Sequence, residues 1–124
     1  MDFDSVLTVE DHEDGAEMNI INPITNEPTD AFILVMGPDS REFRKAQRLA
    51  LIKYLRKKES GDDDSYDEDL EQILAVVKGW RGITKDGKEL EFNKKECRKL
   101  FVNSPMIFDQ VNRFVGNRRN FIKG

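Results

Sequence analysis

The chain has 124 residues and a formal net charge of −4, and 38% of its residues are hydrophobic and 35% charged. A chain of this length buries about two-thirds of its unfolded surface, so we expect one domain that needs neither a metal nor a disulfide. Its single cysteine excludes an intrachain disulfide and is typical of a reducing compartment. No apolar run approaches the ~20 residues of a membrane span, so we expect a soluble, cytoplasmic protein without a membrane partner.

The first forty residues predict an acidic terminus followed by a β-hairpin. Residues 1–16 are polar and acidic, which indicates a flexible N-terminus or an edge strand. Residues 18–24 and 31–36 are apolar and rich in β-branched side chains, and the connector between them contains Asn, Pro and Asp. This pattern is typical of two strands joined by a turn. Pro23 cannot donate to a ladder, so its strand lies at an edge or ends there.

A basic helix is predicted after the hairpin. Gly37-Pro38 ends the second strand, and Asp39 or Ser40 provides an N-cap for a helix that reaches about Lys58. Residues 41–58 contain eight lysines and arginines and a single acid, whereas residues 1–40 contain no basic residue at all.

The second half is predicted to be mainly helical. Residues 59–67 have the composition of an acidic linker. A helix then runs to Lys78 with Gly79 as its C-terminal cap, and a tight Lys-Asp-Gly-Lys turn follows at 85–88. Asn93 and Ser104 start two further helices, the second with proline at its first position and apolar residues at helical spacing as far as Ile122.

Together these elements predict an α+β fold. We expect an N-terminal β-hairpin or small antiparallel sheet followed by a mainly helical C-terminal part of about four helices. The single domain, 1–124, divides into four parts: a flexible acidic N-terminus at 1–16, the hairpin and basic helix at 17–58, the linker at 59–67 and the helical part at 68–124.

No catalytic, cofactor or metal site is predicted. His12 is the only histidine and lies among acids, so we interpret it as a surface residue. Cys97 lies near Leu100 and Phe101 and is interpreted as a half-buried structural thiol. An EF-hand reading of the Asp-rich linker fails, because an aspartate stands where the turn glycine belongs and Ile73 where the bidentate glutamate belongs. We therefore predict a protein that is not an enzyme and needs no cofactor.

The alternating charge blocks allow several interpretations. They can neutralise each other within the fold, form solvated faces without a partner, or join copies in a homo-oligomer. For self-association the candidate residues are basic on the first long helix and acidic in the linker: Arg41, Arg44, Lys45, Arg48, Asp62, Asp63 and Asp64.

Large apolar residues in the second half suggest a binding surface. Each aromatic residue taken singly is most simply a core residue. Taken with the apolar run 49–52, they exceed what a small helical layer can cover, so we expect some of them to form an exposed patch that binds another protein. The candidate partner-binding residues are Leu51, Tyr54, Trp80, Ile83, Phe108, Phe114 and Phe121.

An alternative function is that of a small nucleic-acid-associated regulator. Arg113, Arg118 and Arg119, interleaved with Phe114 and Phe121, offer phosphate-binding and base-stacking groups. The sequence pI of about 5.1 and the acidic first forty residues oppose it, because they repel a polyanion.

Residues 70–122 resemble the tail assembly chaperones of long-tailed, siphovirus-type bacteriophages. The resemblance rests on helix caps and apolar spacing, and not on a catalytic signature. The residues that carry it are Gly79-Trp80, Arg81-Gly82-Ile83, Asp86-Gly87, Leu90-Glu91-Phe92-Asn93, Leu100-Phe101, Ser104-Pro105 and Asn120-Phe121.

This resemblance implies a function. Members of that family bind the tape measure protein in the host cytoplasm and keep it soluble until the tail tube polymerises around it, and they are absent from the mature virion. In many phages a ribosomal frameshift yields a longer form that recruits the tail tube protein, and this chain would be the short form. The implied partners are thus the tape measure protein and, through the longer form, the tail tube protein.

Overall fold

A computed structural model describes residues 1–60 and 67–123 of the chain. The fold is α+β, as predicted. Short 3-10 turns lie at Phe3–Val6 and Arg118–Asn120. The helices are α1 (Val9–Asp14), α2 (Arg41–Ser60), α3 (Glu68–Val76), α4 (Lys94–Asn103) and α5 (Pro105–Gly116). The strands are β1 (Ala16–Ile21), β2 (Pro28–Val35), β3 (Val77–Arg81), β4 (Thr84–Lys85) and β5 (Lys88–Glu89).

The predicted hairpin forms two strands of a three-stranded antiparallel sheet in the order β1-β2-β3. Met18 lies opposite Ile33, which in turn lies opposite Trp80, so these side chains share one face of the sheet. At the outer edge of β1, the side-chain amide of Gln110 in α5 accepts from the Ile21 N–H at 2.9 Å and donates to its carbonyl at 2.8 Å. This amide pair closes part of the strand edge as another strand would.

The third strand was not predicted. We expected a helix to Lys78 with a left-handed glycine cap, but α3 ends at Val76 and the next five residues pair with β2. Gly79 lies opposite Leu34 and is not among the residues with positive φ. This strand forms hydrogen bonds with the second edge of β2, and its first residue, the β-branched Val77, is 1% exposed, which suits a pleated, buried position. The C-terminal part is therefore not purely helical.

The tight turn and the helix starts were predicted correctly. Asp86 and Gly87 have φ of 53° and 78° and connect β4 to β5, as expected for a two-residue hairpin loop. Asn93 accepts a hydrogen bond from the Glu96 N–H at 2.8 Å and caps α4. Ser40 accepts from the Phe43 N–H at 3.2 Å and caps α2.

The last helix is shorter than predicted. It ends at Gly116, and a 3-10 turn then directs Phe121 into the core, whereas Ile122 is half exposed. The hydrophobic core lies between one face of the sheet and helices α3, α4 and α5. Within residues 1–60 and 67–123, no helix has the length and apolar character needed to cross a membrane.

Most of residues 1–15 lie in short helical elements. They form a 3-10 turn and α1, and His12 in α1 is 0% exposed, so the prediction of a surface histidine is wrong. Residues 36–39 explain the burial of this side chain. Gly37 has no side chain, so the imidazole packs against its backbone, and Asp39 donates a backbone hydrogen bond to the ring.

Candidate partner-binding surface

Helix α2 exposes large apolar side chains on its second half. It contacts the rest of the molecule through one stripe of small and aromatic residues, Phe43, Ala46 and Ala50, of which Ala50 is only 1% exposed. Other directions around the helix face solvent, yet they carry large apolar side chains that are each 46–58% exposed. These residues, the α2 surface, are Leu49, Leu51, Ile52, Tyr54 and Leu55.

A groove lies between the α2 surface and α3. Ala50, Leu51 and Tyr54 form one wall, and Glu68 and Gln72 of α3 form the other, around a volume of about 490 Å³. The apolar wall with a polar rim is the arrangement that an amphipathic helix can fill with residues spaced three and four apart.

The first half of α2 is basic, and part of this charge is already neutralised within the chain. Arg41 lies 3.5 Å from a carboxylate oxygen of Glu13, and Arg44 lies 3.2 Å from Asp39. Lys45 and Arg48 form no ion pair with any residue in the described ranges 1–60 and 67–123. Two of the four basic residues predicted for self-association therefore have partners in their own chain, whereas Asp62, Asp63 and Asp64 lie outside the described residues.

Asp39 fixes the start of α2 to both ends of the chain. Its carboxylate accepts hydrogen bonds from Thr8 at 3.1 Å and from Arg118 at 3.0 Å. Burial raises the pKa of Asp39, but the hydrogen bonds from Arg118 and Thr8 and the nearby positive charges outweigh this effect, so the pKa lies below its ordinary value. The charged carboxylate thus stabilises the position of α2 at neutral pH.

The predicted partner-binding residues do not form one surface. Leu51 and Tyr54 belong to the α2 surface, as expected. Trp80, Ile83, Phe108 and Phe114 are only partly buried, but they pack against the hydrophobic core and lie on elements other than α2. Trp80 donates a hydrogen bond to the carbonyl of Leu90 at 2.8 Å and packs edge-on against Phe92.

Phe121 has a structural role. Its side chain is 1% exposed, and its ring packs against Phe114 and His12 at centroid distances of 5.5 Å and 5.3 Å. A partner cannot contact this side chain in this conformation.

Sequence reasoning missed two groups of exposed apolar residues. Leu55 completes the α2 surface, and its spacing of four from Leu51 was the available signal. Phe3, Val6 and Leu7 near the N-terminus are also 49–72% exposed, whereas residues 1–16 were described from the sequence only as polar and acidic.

The arginines proposed for nucleic-acid binding are not a free cluster. Arg118 forms an ion pair with Asp39 at 3.0 Å and so contributes to the fold. Arg113 and Arg119 are exposed, but two exposed cations on an acidic protein are a weak phosphate-binding surface.

The described residues contain neither a metal-binding cluster nor a reactive cysteine. Within 1–60 and 67–123 no cluster of three or more His, Cys, Asp or Glu residues is placed to hold a metal ion. Cys97 is fully buried, and its burial raises the pKa of the thiol to about 12, the reverse of what a nucleophilic cysteine needs.

A family model described as YdaY prophage protein matches residues 38–123, from the turn before α2 to the C-terminal tail. No curated protein and no solved structure matches the chain.

Proposed function

This chain belongs to the YdaY prophage protein family and is phage-derived, and we propose that it is a tail assembly chaperone that binds the tape measure protein. The observation that carries the proposal is the α2 surface, which leaves five large apolar side chains about half exposed, and two of them, Leu51 and Tyr54, line a groove. A protein that functions alone has no need of such a surface, whereas a chaperone for an apolar helical chain requires one.

The geometry suits a helical client. A tape measure protein is a very long helix with apolar stripes that aggregate in water, and each stripe presents residues three and four apart. One groove covers a few turns of such a helix, so many copies are needed along its length. Each contact is weak, and the total binding strength comes from the number of copies. Weak individual contacts also let tail tube subunits displace the chaperone during polymerisation.

The remaining parts of the proposal follow from this role. The protein acts in the host cytoplasm, is absent from the mature virion, and is joined by a longer frameshifted form that recruits the tail tube protein. Nothing in the mechanism requires an enzyme or a cofactor.

Co-expression with a tape measure fragment tests the proposal. We expect the fragment to be several-fold more abundant in the soluble fraction with the wild-type chain than without it, and to co-purify with it. Leu51→Glu with Leu55→Glu should abolish both effects, since it places two charges on the α2 surface.

Val102→Glu is the matched control, because Val102 on α4 is 58% exposed, like Leu51, but lies outside the α2 surface. This variant should solubilise the fragment as the wild type does. A fragment that is no more soluble with the wild-type chain, and does not co-purify with it, would overturn the proposal.

A further inference from the structure

The chain carries a second exposed apolar surface, at its N-terminus. Phe3, Val6 and Leu7 are 72%, 49% and 56% exposed. Phe3 and Val6 are three residues apart and lie on one side of the 3-10 turn, and Leu7 is the extended residue that follows it. Val9 at the start of α1 is also exposed. These four residues, the N-terminal surface, are too few to form a core of their own.

The two apolar surfaces have opposite charge. Asp2, Asp4 and Glu10 lie next to residues of the N-terminal surface in the sequence, and no lysine or arginine occurs before residue 41. Lys45 and Arg48 adjoin the α2 surface on its own helix. None of these five side chains forms an ion pair with another residue in the part of the chain that the structure describes. Apolar contact and charge attraction therefore favour the same pairing between the two surfaces.

A chain does not cover its own α2 surface in this structure. Val9 lies beside Arg44 and Arg48, in a groove at the first half of α2. Phe3 and Leu7 remain exposed, and so do Leu51 and Leu55 on the second half of the helix. Both surfaces are thus available to another molecule at the same time.

We propose that the N-terminal surface of one copy docks on the α2 surface of a second copy. The acidic residues around Phe3 and Leu7 then face the basic residues of α2, and the apolar side chains of both copies leave water. Since the two patches differ, the contact is head-to-tail, and each added copy leaves one surface of each kind open until a ring closes. The same α2 surface binds the client in the proposed function, so client and second copy compete for it; the docking itself does not depend on the identity of the client.

Two one-sided variants test the head-to-tail contact. Phe3→Glu with Leu7→Glu disables the N-terminal surface, and Leu51→Glu with Leu55→Glu disables the α2 surface. We expect the wild type to form assemblies larger than a dimer by light scattering, and each variant alone to stay at the 14.4 kDa of one chain. An equimolar mixture of the two variants retains one intact surface of each kind, so it should form a dimer and nothing larger.

Control measurements keep the result interpretable. Val102→Glu should assemble as the wild type does, and circular dichroism should show that all variants fold. If a glutamate variant unfolds, serine at the same positions replaces it. Raising the salt concentration should dissociate the wild-type assembly, because screening weakens the attraction between exposed charges.

The inference is overturned by a wild type that is monomeric at every concentration, by a one-sided variant that assembles alone, or by a mixture that stays monomeric. The measurement contains no tape measure fragment, so it is independent of the proposed function. A monomer that still solubilises the fragment contradicts only the docking, and an assembly that fails to solubilise it contradicts only the chaperone role.

Discussion

The backbone N–H of Asp39 donates a hydrogen bond of 2.9 Å to Nδ1 of His12. Because Nδ1 accepts, the proton of the neutral imidazole is on Nε2, which lies 3.4 Å from Oδ2 of the same aspartate. The ring packs on Phe121, and the Lys123 side chain reaches Asp14 at 2.9 Å. One histidine thus links α1, the start of α2 and the C-terminal tail.

We predict that the protein loses stability as the pH falls below about 6.5. Burial is the largest cause that lowers the pKa of His12, and Arg118 and Arg44 lower it further against the opposing charges of Asp39 and Asp11. Between the lowered folded pKa and the ordinary 6.5, the unfolded chain binds a proton that the folded chain does not. The contribution of His12 to the free energy of unfolding is complete above pH 6.5 and declines below it, by at most about 1.4 kcal/mol per pH unit for one group. Urea unfolding at a series of pH values measures it.

The single histidine makes this prediction directly testable by NMR. The imidazole resonance of the folded protein should titrate at a lower pH than that of the urea-unfolded chain. His12→Asn removes the titrating group and should flatten the stability curve just below pH 6.5. A native resonance that titrates at 6.5 or above would contradict the burial argument. The lowered pKa of Asp39 acts only below its ordinary 3.8, so the two effects occupy separate pH ranges.

Gly37→Ala should destabilise the fold. A Cβ at this position would lie 2.7 Å from Cγ of Phe121 and closer still to Nδ1 of His12, so the rings or the strand end must move. Overpacking of this kind costs about 1–3 kcal/mol. Gly116→Ala is the control, because nothing lies within 4 Å of its Cβ at the end of α5, and it should be neutral or slightly stabilising. Thermal unfolding compares the melting temperatures of the two variants. Equal changes in melting temperature would show that the close approach at Gly37 does not affect stability.

Local patterns in the sequence were sufficient for most of the fold. The caps at Ser40 and Asn93 and the Asp86-Gly87 turn depend on neighbours within a few residues, and each was predicted where it occurs. Strand β3 was missed because its pairing with β2 joins residues more than forty positions apart. Local propensity predicted that a helix ends at Gly79. The strand forms because the edge of β2 that faces away from β1 would otherwise be unpaired.

The candidate site was predictable in part for the same reason. The exposure of Leu51 follows from the apolar run 49–52, which extends around one turn of α2, so that its residues cannot all face the core. The burial of Phe121 depends on His12 and Gly37, more than eighty residues away in the chain, so no local pattern could distinguish it from a surface aromatic residue.

Phe121→Ala should cost far more stability than Ile122→Ala. The phenylalanine is 1% exposed in contact with two rings, and truncation of a buried phenylalanine costs about 3–5 kcal/mol. The neighbouring isoleucine is 52% exposed, so its truncation should stay within about 0.5 kcal/mol. Chemical denaturation of both variants tests the assignment of Phe121 to the core. Small and similar losses of stability in the two variants would instead show that Phe121 is a surface residue that a partner can contact.

Cys97 should react slowly with thiol reagents in the folded protein. Burial raises its pKa from 9.0 to about 12, although Lys94 opposes the shift. At pH 8 this reduces the thiolate fraction about a thousandfold relative to an unburied thiol, and steric exclusion slows the reaction further. Colorimetric titration with an aromatic disulfide, before and after addition of urea, measures the difference. A second thiol introduced as Val102→Cys on the exposed side of the same helix should react at once and serves as the internal control. If the native thiol reacted as fast as the introduced one, α4 would open at Cys97 far more often than its buried position implies.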